Sequence, residues 1–159
     1  TGQTAHGIVV GAAPGDEGPG VQNVIFRGNR FSNVGSFPTT AFPSIADARY
    51  GALNVSVQGK ADNMNSLIPV HENLVFDANT FSDLQGTGLF ISRANGVVVV
   101  NNQFNHTNLW RVQESTVGTA SFSGSIIVTH AHNVYLSKNT LESAGPISID
   151  TKSTDGVRH

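Results

Sequence analysis

Four stretches of this chain align on one another without a gap, and that repeat limits the possible folds more than any other feature. They are Asn23-Val-Ile-Phe-Arg-Gly-Asn-Arg-Phe31, Asn73-Leu-Val-Phe-Asp-Ala-Asn-Thr-Phe81, Gly96-Val-Val-Val-Val-Asn-Asn-Gln-Phe104 and Asn133-Val-Tyr-Leu-Ser-Lys-Asn-Thr-Leu141. A shorter apolar stretch follows each one: Leu53-Asn-Val55, Leu89-Phe-Ile91, Ile126-Ile-Val128 and Ile147-Ser-Ile149, with Ile8-Val-Val10 as an earlier member. We refer to the longer type as strand A and the shorter as strand B. Alternation with period two puts Val24, Leu74, Val97 and Val134 on one face, and Phe26, Phe76, Val99 and Leu136 beside them. If successive repeats stack, each column becomes a ladder with a spacing of about 4.8 Å inside a single core. Phe31, Phe81, Phe104 and Leu141 form a third inward column. Asn29, Asn79, Asn102 and Asn139 recur two residues earlier. Asparagine tolerates the left-handed backbone of a tight corner, and its amide can bond to the repeats above and below.

The pattern N-V-x-F-x-x-N-x-F, followed by G-x-L-x-I, resembles the parallel β-helix repeats of the pectate-lyase-like superfold and covers nearly the whole chain. The expected fold is all-β: a right-handed parallel β-helix, a solenoid of about four turns forming a single unit over residues 1–159. Composition agrees. Charged residues are only 13% and glycine is frequent at 17, which suits short strands and turns better than amphipathic helices. The superfold is shared by pectate lyases, polygalacturonases, several glycoside hydrolase families and phage tailspikes. It therefore implies a carbohydrate-active protein in an extracellular or periplasmic setting. The Arg-x-Pro-x-x-Arg motif of pectate lyases is missing, as are the Asn-Thr-Asp, Asp-Asp and Gly-His-Gly motifs of polygalacturonases. The resemblance thus implies a glycoside hydrolase acting on a polysaccharide or oligosaccharide rather than a polysaccharide lyase. The alternative is a non-catalytic shaft or carbohydrate-binding segment of an adhesin or tailspike.

Several classes drop out on composition. Cysteine is absent, which rules out a disulfide scaffold, a thiol nucleophile and a Cys-ligated metal. The formal net charge is −2 and no basic stripe is present, so nucleic acid is not an expected partner. No apolar run approaches 20 residues, so no membrane span is read. No cofactor is expected. His130-Ala-His132 could hold a metal, but no third ligand is evident, and Asp16-Glu17 reads as an acidic turn. Residues 155–159 align with the start of a fifth strand A, and no polar cap is visible at either end. The expectation is a piece of a longer β-helix that associates with the remainder of its parent chain or with itself.

Insertions at 33–52, 58–70 and 105–124 interrupt the repeat. Two of them, 33–52 and 105–124, leave at the A-to-B corner on either side of the short connection Ser82-Asp-Leu-Gln-Gly-Thr-Gly88. Loops that interrupt a solenoid mark its binding face. The expected site is a trough with Asp83 and Gln85 on the floor, Asp47, Arg49 and Tyr50 on one wall, and Trp110, Arg111 and Glu114 on the other. Glycoside hydrolysis uses two carboxyl groups about 5 to 9.5 Å apart, so Asp83, Asp47 and Glu114 are the catalytic candidates. Gln85, Arg49, Tyr50, Trp110 and Arg111 would bind sugar through ring stacking and charge-assisted hydrogen bonds. His130, His132 and Arg93, at the other end of strand B, are further substrate-binding candidates. Asp77 lies beside Arg27 in an outward column, where a solvated salt bridge is the simplest account.

Overall fold

A computed structural model describes residues 7–12, 20–34, 52–57, 68–109, 115–117 and 120–159. In chain order the strands are β1 (Ile8–Ala12), β2 (Gln22–Arg27), β3 (Arg30–Ser32), β4 (Leu53–Val57), β5 (His71–Asp77), β6 (Thr80–Ser82), β7 (Leu89–Val100), β8 (Gln103–Asn105), β9 (Ser115–Val117), β10 (Ala120–Phe122), β11 (Ile126–Ser137), β12 (Thr140–Glu142) and β13 (Ile147–Ile149). No helix occurs among the described residues. The protein is all-β, and its main sheets are parallel.

Strand B and strand A share a seven-stranded sheet. Its B side runs β1-β4-β7-β11-β13, and its A side runs from β2 through β5 into β7 and β11. A four-stranded parallel sheet holds β3, β6, β8 and β12. Four passages of the chain each place a strand in the small sheet, and a fifth adds β13 and two isolated bridges to the large one. The registers are those that the repeat predicts: Val24 pairs with Leu74, Leu74 with Val97, and Val97 with Val134, while Phe31, Phe81, Phe104 and Leu141 align across the smaller sheet. In-register parallel strands bring identical rings face to face at the strand spacing. Phe31 and Phe81 stack with centroids 4.9 Å apart, Phe81 and Phe104 at 4.6 Å, and Phe26 and Phe76 at 5.2 Å. These columns and the inward residues of strand B make one core cluster, except Leu141, which the repeat places inward but which is exposed at the end of its row.

Three details differ from the sequence reading. First, the nine-residue strand A is two strands in two sheets, because the chain turns inside it. The left-handed residue at that turn is not the recurring Asn but the one before it: Gly28, Ala78, Asn101 and Lys138 have φ between 53° and 66°. The Asn supplies the side-chain ladder. Asn29 Nδ2 donates to Asn79 Oδ1, Asn79 Nδ2 to Asn102 Oδ1, and Asn102 Nδ2 to Asn139 Oδ1, each at 2.9 Å. Second, the 105–124 insertion contains an antiparallel hairpin, β9 with β10. Third, strand B is covered on both faces in β7 and β11. Phe90 and Ile127 alternate with the inward Leu89, Ile91, Ile126 and Val128, yet they too are buried, outside the main core cluster. The other outward apolar column, Ile25, Val75, Val98 and Tyr135, is in register, and its two end members are 58% and 42% exposed.

Candidate functional site

The A-to-B corner begins where the small sheet ends. One left-handed residue follows each of its strands: Asn33, Asp83, His106 and Ser143, with φ between 48° and 55°. Backbone bonds stack them, with Asn33 N–H donating to Ser82 O, Asp83 N–H to Asn105 O, and His106 N–H to Glu142 O. The stacking brings the Asp83 carboxylate to 3.4 Å from His106 Nδ1, and both side chains are more than half exposed. Asp83 and His106 each lie two residues beyond a stacked Phe. Aligning Phe81 with Phe104 was thus a signal sufficient to pair them.

The connection 82–88 runs inward from Asp83. Leu84 N–H donates to His106 O, Leu84 is buried, and Gly88 N–H reaches Ser125 O. Gly88 has to be glycine, since a Cβ there would meet the Phe104 ring at 2.8 Å. Asn108 borders this floor in a left-handed conformation, φ 58°, with its N–H on Gly86 O. Four buried polar atoms gather here with no hydrogen-bond partner among the described residues: Ser82 Oγ, Gln85 Oε1, Thr87 Oγ1 and Asn108 Oδ1. Ser82, Gln85 and Thr87 belong to the connection that the sequence places as the floor, with Gln85 singled out; Asn108 is the one that it does not indicate. A cleft of about 480 Å³ opens beside Asn108, lined by Thr107, Leu109, Ser123, Ser143 and residues 144–146. The wall residues Asp47, Arg49, Tyr50, Trp110, Arg111 and Glu114 lie outside the described residues.

The far end of strand B carries a second polar cluster. His71, Arg93, His130 and Asp150 are all buried there. His130, a substrate-binding candidate from the sequence, is thus an interior group. Its Nδ1 lies 2.7 Å from Thr129 Oγ1, and its N–H donates to Ser153 Oγ. Ser153 Oγ in turn bonds to Asp150 Oδ2, and Asp150 Oδ1 accepts from Lys152 N–H. Burial holds the His130 pKa below its ordinary value, with Asp150 opposing and Arg93 reinforcing the shift. Arg93 Nε donates to Ile68 O. His71 accepts from Val21 N–H at Nδ1 and sits 3.3 Å from Ser56 O at Nε2. Those contacts fix a neutral ring protonated at Nε2. Burial is the main cause lowering its pKa, the bond to Ser56 opposes it, and Arg93 adds to it. His132 is separate, half-buried and 2.9 Å from Asp155. This cluster ties passages of the chain together through its own hydrogen bonds.

No group of three His, Asp or Glu side chains that could hold a metal occurs among the described residues. Asp77, by contrast with these sites, bridges Arg27 and Asn101 at 2.9 Å each on the outer surface. In comparisons with known protein families, curated proteins and solved structures, the chain matches none.

Proposed function

We propose that this chain is a right-handed parallel β-helix whose A-to-B corner takes a carbohydrate, and that the protein is a glycoside hydrolase acting outside the cytoplasm. The hand follows from the rule that crossovers between parallel strands of one sheet are almost always right-handed. The observation that carries the functional reading is the gathering of Ser82, Gln85, Thr87 and Asn108 polar atoms without described partners at one corner, next to the exposed Asp83. Native proteins satisfy nearly all buried polar atoms, so a concentration of exceptions asks for a polar ligand. Asp83 is the general acid or base, with His106 beside its carboxylate. The second carboxyl that hydrolysis requires comes from Asp47 or Glu114. Arg49, Tyr50, Trp110, Arg111 and Gln85 grip the sugar.

The test is turnover and binding of oligosaccharides by wild type and by Asp83→Asn, Asp47→Asn and Glu114→Gln. Asp83→Asn should lower kcat at least about 100-fold while binding is kept, the size of a general acid–base contribution. Wild-type turnover in Asp83→Asn would remove Asp83 from the chemistry.

The in-register column Ile25, Val75, Val98 and Tyr135, half-buried in the middle and exposed at both ends, favours a second reading, a non-catalytic shaft or binding segment of an adhesin or tailspike. There the stripe meets the rest of the parent chain or a second copy. Glycan binding without turnover, together with self-association lost in Ile25→Ser, is its expected signature.

A further inference from the structure

We infer that the cleft beside Asn108 is a subsite for an uncharged sugar ring, distinct from the floor at Asp83. The inference rests on the carbohydrate reading and specifies the sugar that this part of the corner accepts. The cleft measures about 480 Å³, within the roughly 300–1,000 Å³ typical of small-molecule sites. Its described lining mixes hydroxyls (Thr107, Ser123, Ser143) with apolar surface from Leu109 and Pro146, and no described lining residue is charged. That mixture matches a pyranose, which presents hydroxyls at its edge and C–H groups on its face.

Asn108 supplies a polar contact, and the uncharged lining sets the charge class. Its Nδ2 donates to Ser123 Oγ at 3.2 Å, while its Oδ1 is buried without a described partner. An unsatisfied carbonyl oxygen needs a donor, and a sugar hydroxyl supplies one. Uronic acids and sulfated sugars have hydroxyls as well, but their anionic groups need a cationic partner, and no described lining residue is charged. The Ser123 bond is at the long end of the usual range, and χ2 of Asn is broad. A half-turn about χ2 exchanges the two amide atoms and sets Oδ1 beside Ser123 Oγ on the cleft wall, where it accepts from the Ser123 hydroxyl or from a ligand. The scaffold underneath is firm. Asn108 N–H bonds to Gly86 O, Leu109 N–H to Leu84 O, Gly145 N–H to Thr107 O, and Thr107 Oγ1 to Ser125 Oγ at 2.5 Å. A Cβ on Gly145 would come within 2.6 Å of Asn108 Nδ2, so the absence of a side chain there keeps the amide in place.

The experiment presents the full chain with immobilised oligosaccharides of three classes: neutral hexoses and deoxyhexoses, uronic acids, and sulfated sugars. Binding is measured for wild type, Asn108→Gly and Leu109→Ala. Asn108→Gly suits the left-handed backbone, so the fold is kept and only the amide is lost. Neutral sugars should bind. Their affinity should fall about tenfold or more in Asn108→Gly and fall less in Leu109→Ala. Selective binding of acidic sugars, or neutral binding that Asn108→Gly and Leu109→Ala both leave intact, overturns the subsite while leaving the carbohydrate reading in place. No binding of any class overturns both. If Asn108→Gly fails to fold, Leu109→Ala decides, because Leu109 is 51% exposed and its truncation spares the core.

Discussion

The two corners at either end of the small sheet handle buried polar groups in opposite ways. At the Asn corner every amide is used. Asn102 accepts from the Asn79 N–H and side chain, and donates to Phe76 O, Val100 O and Asn139 Oδ1. At the A-to-B corner, one short strand away, Ser82, Gln85, Thr87 and Asn108 each keep a buried atom without a described partner. The same stacked parallel strands border both corners, so stacking alone does not explain the contrast. A ladder is satisfied by its own repeats. A corner interrupted by insertions has unlike neighbours, and it leaves donors and acceptors for something else.

The sharpest way to break the comparison is to remove what both corners share. Phe81 is fully buried between Phe31 and Phe104. Phe81→Ala should cost about 3 to 5 kcal/mol in chemical denaturation. A loss under about 1 kcal/mol would show that the ring stack does not hold the rows together. Next comes the Asn ladder itself. Asn102→Ala strands the Phe76 and Val100 carbonyls and the Asn79 amide in the interior, and should cost about 2 to 3 kcal/mol. If it proves neutral, the Asn corner is no more committed to stability than the other one.

Acid titration probes the second polar cluster, and both histidines there act in one direction. Their folded pKa values are lowered from 6.5. The unfolded chain therefore binds more protons than the folded one once the pH drops below about 6.5. Stability that is fully present above that value should fall on acidification from about pH 6.5 towards the depressed folded values. His71→Gln should flatten that part of the curve; an unchanged slope would show that His71 takes no part. Asp77 acts only at lower pH. Its pKa is held below 3.8, chiefly by the hydrogen bond from Asn101, so its contribution is present above that value and lost as the pH falls through the folded pKa. The smallest effect belongs to the A-to-B corner. Thr87 is almost fully buried and its hydroxyl has no described partner. Thr87→Val, which keeps the shape, should be neutral or stabilising by up to about 1 kcal/mol. A loss near that of Asn102→Ala would mean that the hydroxyl is already satisfied and that the contrast between the corners is not real.

From the sequence alone, the columns were legible: which residues align with which, that the strands stack in parallel, and which residues face inward, save Leu141, which is exposed. The reason is local. Side-chain direction in a strand alternates with every residue, and an ungapped repeat carries that alternation from one passage to the next. The pairing of Arg27 with Asp77 follows from the same register. The tertiary structure decided what alternation does not encode. Whether Phe90, Ile127, Arg93 and His130 are buried depends on what lies over the outer face of the sheet. The turn inside strand A falls at Gly28, Ala78, Asn101 and Lys138, residue types with little in common, because the backbone there is set by the sheets on either side. The atoms left unpartnered at the A-to-B corner depend on which unlike connections meet there. That is a matter of distances between segments far apart in the chain, and no pattern along the sequence records it.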